Sequence, residues 1–121
     1  MRKMNSTNTV NKLHLEDTCG MAYTISLIGG RWKLSILGLL SDYGKLRYNE
    51  LQKRLTGISE RILAKQLKEL EEDGLIVRNT IAEVPVRVEY DLSPKGVSLK
   101  PVLEAMSEWG TVQGREPHLN G

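Results

Sequence analysis

The stretch GISERILAKQLKELEEDGLI, from Gly57 to Ile76, decides the fold. Ser59 offers a hydroxyl to the free amides of a helix start, and Asp73-Gly74 supplies the stop. Between them Ile62, Leu63, Leu67 and Leu70 fall on one stripe. At about 100° per residue that stripe is centred opposite Arg61, Lys65 and Lys68, which therefore share the outer side. A charged outer side is either a solvated surface or a surface that inserts into something, and the neighbouring segments choose between the two.

Upstream, Leu51 and Leu55 lie four apart in a short helix over Tyr48 to Leu55, and Thr56-Gly57 breaks it. Two short helices are thus joined by a tight turn. Further upstream, Met21, Ala22, Ile25, Leu27 and Ile28 predict a first helix from Cys19 to Ile28, capped by Asp17 or Thr18 and stopped by Gly29-Gly30. Trp32, Leu34, Ile36, Leu37, Leu39 and Leu40 follow as an apolar second helix ending at SDYG, apolar enough to be central to the core. Downstream, LIVRNT and VRVEYDL enclose IAEVP, and Arg87, Glu89 and Asp91 alternate with Val86, Val88, Tyr90 and Leu92. That alternation predicts an antiparallel hairpin with Pro85 near its turn. Ser93-Pro94 opens a last helix carrying Val97, Val102, Leu103, Met106 and Trp109, which Pro101 should bend.

Helix, helix, helix, tight turn, helix, hairpin, helix is the winged helix-turn-helix order, an α+β class that is mostly α. In that arrangement one helix enters the DNA major groove while the hairpin reaches the neighbouring backbone. The expected organisation is a flexible arm over residues 1–15, one domain over 16–110 and a frayed tail over 111–121.

Composition agrees with a single unit, since 121 residues with 40% apolar content suit one compact core. No apolar run approaches the roughly 18 residues a membrane span needs, and the N-terminus lacks the apolar stretch of a secretory signal. The chain is expected in the cytoplasm, with no membrane partner. The single cysteine, Cys19, cannot form an internal disulfide but leaves an intermolecular one open. Positive charge gathers in the middle: residues 44–70 hold seven basic and three acidic residues, whereas 71–121 hold five and nine. Such a concentration is the footprint of a polyanion-binding surface.

CGMAYTISLIGGRWKLSIL, LRYNELQKRLTGISERILAKQLKELEEDGLIVR and VPVRVEYDLSPKGVSLKPVLEAMSEWG together resemble HxlR-type regulators, a MarR-like winged-helix family, from Cys19 to Gly110. Gly20 stands where the family usually has proline, Ile81 where the wing often has an aromatic, and Val86 where a second proline is common. The resemblance implies a homodimeric transcription factor pairing through its first and last helices. There is a physical reason for such pairing: Met21, Tyr23, Ile25, Leu99, Val102, Leu103, Met106 and Trp109 offer more apolar surface than one small core can absorb. The expected function is a sequence-specific repressor that binds an inverted repeat in double-stranded DNA.

Within that frame Arg61 and Lys65 sit early on the outer side of the recognition helix, where side chains reach base edges, and Lys65 equally suits phosphate. Ser59 and Gln66 lie at the margins, one as cap and the other as peripheral contact, and Lys68 suits backbone. Lys45, Arg47 and Tyr48 precede a helix N-terminus whose amides accept phosphate, and Lys53 lies on that helix. Arg78 and Arg87 flank the wing tip; they reach the minor groove or sugar-phosphate, or pair with Glu83 or Glu89 instead.

Cys19 in the first turn of a helix has two readings. Aligned amides favour its thiolate, and the resembling family includes thiol sensors of small electrophiles and oxidants with a cysteine here; alternatively it is a small apolar filler at a dimer interface. An enzyme is not expected: His14 and His118 lie in the tails, and there is no C-x-x-C, H-E-x-x-H or phosphate-loop spacing. No cofactor or metal is implied. The competing function is a winged helix used to dock an acidic protein partner.

Overall fold

The computed structural model describes residues 19–114. The order is α1 (Gly20–Ile28), α2 (Arg31–Tyr43), β1 (Leu46–Arg47), α3 (Tyr48–Arg54), α4 (Glu60–Glu72), β2 (Ile76–Ile81), β3 (Arg87–Leu92), α5 (Pro94–Val97) and α6 (Lys100–Gln113). This is the winged helix-turn-helix order predicted above. The expected arm and the Asp17 or Thr18 cap lie outside the described residues.

α2 supplies the centre of the core. Ile36, Leu37 and Leu40 are fully buried, and Leu51 of α3, with Leu63, Leu67 and Leu70 of α4, closes around them. Ile62, expected in the same stripe, is half-buried at its margin. Gly44 ends α2 and Gly74 follows α4, both at positive φ that a Cβ would disfavour. Ser59 caps α4 as predicted, its hydroxyl accepting the Ile62 amide at 3.1 Å.

Three findings depart from the sequence reading. Residues 46 and 47 form a third strand, so the sheet runs β1-β3-β2, antiparallel throughout, with Leu46 opposite Tyr90 and Arg47 opposite Glu89. A two-residue strand leaves no periodicity to read. Secondly, the C-terminal segment is two helices and not one bent helix. Proline has no amide hydrogen and is tolerated in the first turn, so the chain ends α5, turns through Ser98-Leu99 and restarts with Pro101 in the opening turn of α6. Thirdly, α6 continues to Gln113, so residues 111 to 113 extend the helix where a frayed tail was expected.

The seam between α4, the wing and α5 is tight. Ser93 caps α5 by accepting the Gly96 amide at 3.0 Å, its own amide donates to the Leu75 carbonyl at 3.0 Å, and its hydroxyl donates to the Gly74 carbonyl. Gly96 fits against the Leu75 backbone, where a Cβ would meet the carbonyl oxygen at 2.1 Å. These bonds tie the Gly74-Leu75 backbone that follows α4 to the start of α5.

Candidate nucleic-acid interface

α4 buries Leu63, Leu67 and Leu70 and leaves Arg61, Lys65 and Lys68 exposed. At about 100° per residue the three cations fall within about 60° of arc. None of them takes part in an ion pair among the described residues, whose pairs involve Lys33 and Arg87. Gln66, expected at the margin of that face, is half-buried about 100° round the helix from Lys65 and outside the arc, and the Ser59 oxygen is occupied as a cap. The acidic Glu71 and Glu72 are exposed in the last turn, away from Arg61.

α3 is fixed against α4 through Tyr48, whose hydroxyl donates to the Glu60 carbonyl at 3.1 Å. Burial, then the Glu60 carboxylate and Tyr90, raises the Tyr48 phenol above its ordinary pKa, so the donating proton is held firmly. Tyr48 thus braces the start of α4. Glu50 reaches back to accept the Arg47 amide at 2.7 Å, which fixes the first turn of α3 while the Arg47 side chain stays exposed. Lys45 and Lys53 are exposed as well. Arg54, which the sequence reading passed over, stacks on the exposed Tyr43 ring with 4.1 Å to its centroid. Tyr43 and Arg54 end two different helices, and their spacing carries no sequence signal of that contact.

The wing comes beside α3, and Arg47, Tyr48 and Asn49 face Glu83, Pro85, Val86, Arg87 and Val88 across a cleft of about 350 Å³. The two wing arginines differ from expectation. Arg87 does adjoin the tip but is held by two carboxylates: Nη1 lies 3.1 Å from Glu83, and Nε lies 3.0 Å from Glu89 without the alignment of a hydrogen bond. Of the alternatives open for this residue, the structure takes the pairing. Arg78 sits opposite Tyr90, partway down β2 and not at the tip, and donates to Thr80 at 3.3 Å. The tip carries no cation of its own: beside Glu83 it exposes Val84, Pro85 and Val86.

One charged pair was not anticipated. Lys33 is buried on α2 with its ammonium 2.7 Å from Glu69 of α4. The signal was present: Lys33, Ile36, Leu37 and Leu40 follow i, i+3, i+4, i+7, so the lysine occupies the first position of the buried stripe.

The residues expected at a dimer contact divide. Met21 and Ile25 on α1 are exposed, as are Val102, Met106 and Trp109 on α6, Trp109 by 70%. Val112 extends that α6 surface by one turn. Tyr23 and Leu99 are half-buried against the core, and Leu103 is inside it. Cys19 is exposed and is the N-cap of α1, one residue before the first turn predicted for it; its carbonyl accepts the Tyr23 amide at 3.1 Å. No helix among the described residues is long and apolar enough to cross a membrane. Both histidines lie outside the described residues.

Comparison with known proteins agrees with this arrangement. The family model for the HxlR-like helix-turn-helix matches residues 27–117. The HTH-type transcriptional regulator YdzF of Bacillus subtilis is 43% identical over 110 residues, covering 91% of this chain and all of that protein. The redox regulator HypR in its oxidized form superposes with a TM-score of 0.73 at 39% identity, over 78% of this chain and 96% of that one. The reduced form of the transcriptional regulator YodB from B. subtilis gives a TM-score of 0.68 at 37% identity, over 83% and 97%. The family and these relatives are transcriptional regulators, not enzymes.

Proposed function

Because the chain belongs to the HxlR-like helix-turn-helix family of transcriptional regulators, we propose that it acts in the cytoplasm as a repressor, binding an inverted-repeat operator in double-stranded DNA as a homodimer. The observation that carries this reading is the exposed arc of Arg61, Lys65 and Lys68, free of ion pairs among the described residues and lying on a helix whose opposite stripe is core. Arg61 reads base edges, Lys65 reaches base or phosphate, and Lys68 meets backbone. Lys45, Arg47, Lys53 and Arg54 hold the phosphates flanking α3. Ser59 and Tyr48 act by fixing the start of α4, with Gln66 at its margin. On the wing Arg78 is the available cation, and Arg87 reaches DNA after exchanging a carboxylate for a phosphate.

The exposed apolar faces of α1 and α6 support the dimer, since burying Met21, Ile25, Val102, Met106 and Trp109 removes them from water. Exposed Cys19 beside that face, together with the likeness to redox regulators, supports a thiol response to an oxidant or small electrophile, through a bridge between two Cys19 residues or an adduct. The test is duplex affinity of the purified protein across a salt series. A steep fall with salt is expected, whereas salt-independent or absent duplex binding rules the reading out.

A further inference from the structure

The cleft between α3 and the wing already contains an anionic group, and that group belongs to the chain. Of the residues lining the cleft, Arg47, Asn49 and Arg87 carry donors suited to an anion, and Glu83 supplies the single carboxylate. Arg47 stands opposite Glu89 in the register of β1 with β3, and Arg87 lies two residues before Glu89, so the three side chains share one face of the sheet. Glu89 is the inner partner of Arg87, its side chain 15% exposed, and Glu83 is the outer one, 48% exposed. One guanidinium thus faces two carboxylates, and the three groups together are negative on the surface that the proposed function turns toward a polyanion. Glu89 alone balances the charge of Arg87. Glu83 reaches from the tip to Nη1 at 3.1 Å, at the end of the guanidinium beyond the Nε that Glu89 faces. An ion pair this exposed contributes little stability, so folding does not account for the second carboxylate.

We propose that this cleft is a site for one backbone phosphate of the duplex, held by Arg47, Asn49 and Nη1 of Arg87, and that Glu83 is a built-in competitor filling the Arg87 end of it in the free protein. This rests on the DNA-binding reading and adds to it the carboxylate that is exchanged. Glu83 gives up its bond to Arg87 before a phosphate takes its place, and that exchange lowers affinity for every duplex alike. Removing the carboxylate therefore tightens binding, the reverse of what the loss of a contact does.

The experiment measures affinity for a duplex of mixed sequence at one fixed salt concentration. It compares the wild type, Glu83→Gln, Arg87→Gln and the double variant, with Glu104→Gln on α6 as a control carboxylate outside the cleft. Glu83→Gln is expected to bind roughly 1.5- to 5-fold more tightly per protomer, the worth of one exposed ion pair. In the Arg87→Gln background the same change is expected to add nothing, and Glu104→Gln is expected to keep the wild-type affinity. A Glu83→Gln protein that binds no more tightly than the wild type overturns the proposal. So does a gain that persists without Arg87 or that Glu104→Gln matches, because either marks a general effect of net charge. A wild type that binds no duplex overturns the DNA reading itself, and that result is read from the wild type alone.

Discussion

Replacing Gly96 with alanine puts one methyl group where the fold has no room for it. The new Cβ would stand 2.1 Å from the Leu75 carbonyl oxygen and 3.2 Å from both the Leu75 carbonyl carbon and Leu92 Cδ2. Ordinary contact requires that oxygen to retreat by about 1 Å, and the obstacle is backbone, not a side chain that can swing aside. The retreating carbonyl is the one that accepts the Ser93 amide, so a hydrogen bond at the seam is lost with it. Overpacking costs about 1–3 kcal/mol and the hydrogen bond about 1 kcal/mol, giving a loss of about 2–4 kcal/mol. For a domain of this size the melting temperature should fall by roughly 10–20 °C, measured by circular dichroism. Gly110→Ala is the control, because a Cβ there meets nothing within 4 Å. The same chemical change in the last turn of α6 should be neutral or stabilising by up to about 1 kcal/mol. A Gly96→Ala protein that melts together with Gly110→Ala would refute the steric argument.

Arg61→Ala should weaken operator binding by about 1–3 kcal/mol and relax base preference at one position per half-site, whereas Lys53→Ala should weaken all sequences alike; salt-controlled titration of several duplexes separates the two. Tyr48 holds its proton more tightly folded than unfolded. Its contribution to stability is therefore whole below the ordinary phenol value of 10.0, and is lost as pH rises from there through the raised folded value. Denaturant titrations across the alkaline range should show this loss in the wild type, and it should be missing from Tyr48→Phe. Treatment with diamide should change operator affinity in the wild type and leave Cys19→Ser unaffected; unchanged wild-type affinity after modification confirmed by mass would leave Cys19 a structural role.

Legibility followed the length of the signal. α4 was readable to its ends because a cap, a buried stripe and a glycine stop agree over thirteen residues, and the structure keeps the cap, the stop and the stripe apart from Ile62, which sits half-buried at its margin. The order of helices and hairpin followed from the same kind of agreement. β1 escaped notice because two residues carry no period, and its partner β3 is fixed only by folding. Pro101 was taken for a kink, since the sequence reveals where an amide hydrogen is missing but not whether the helix starts there or passes through. At the site, the exposure of Arg61, Lys65 and Lys68 followed from helix geometry alone. Which cations are already engaged did not: Arg87 between Glu83 and Glu89, and Lys33 against Glu69, depend on side chains that the fold brings together. Lys33 was still detectable as a lysine in an apolar stripe, a pattern that asks for a partner. Leu103 was counted among the dimer residues because nothing in the spacing separates core from interface on one helix.

The central claim is that two copies of α4 read DNA together, and the most direct measurement is selection of duplexes from a random pool by the wild type and by Arg61→Ala in parallel. The wild type should enrich an inverted repeat with half-site centres about 10–10.5 base pairs apart, or a multiple of that spacing. Arg61→Ala should enrich the same spacing with one position per half-site degenerate. No enrichment by the wild type, or an identical motif from both proteins, would contradict the account.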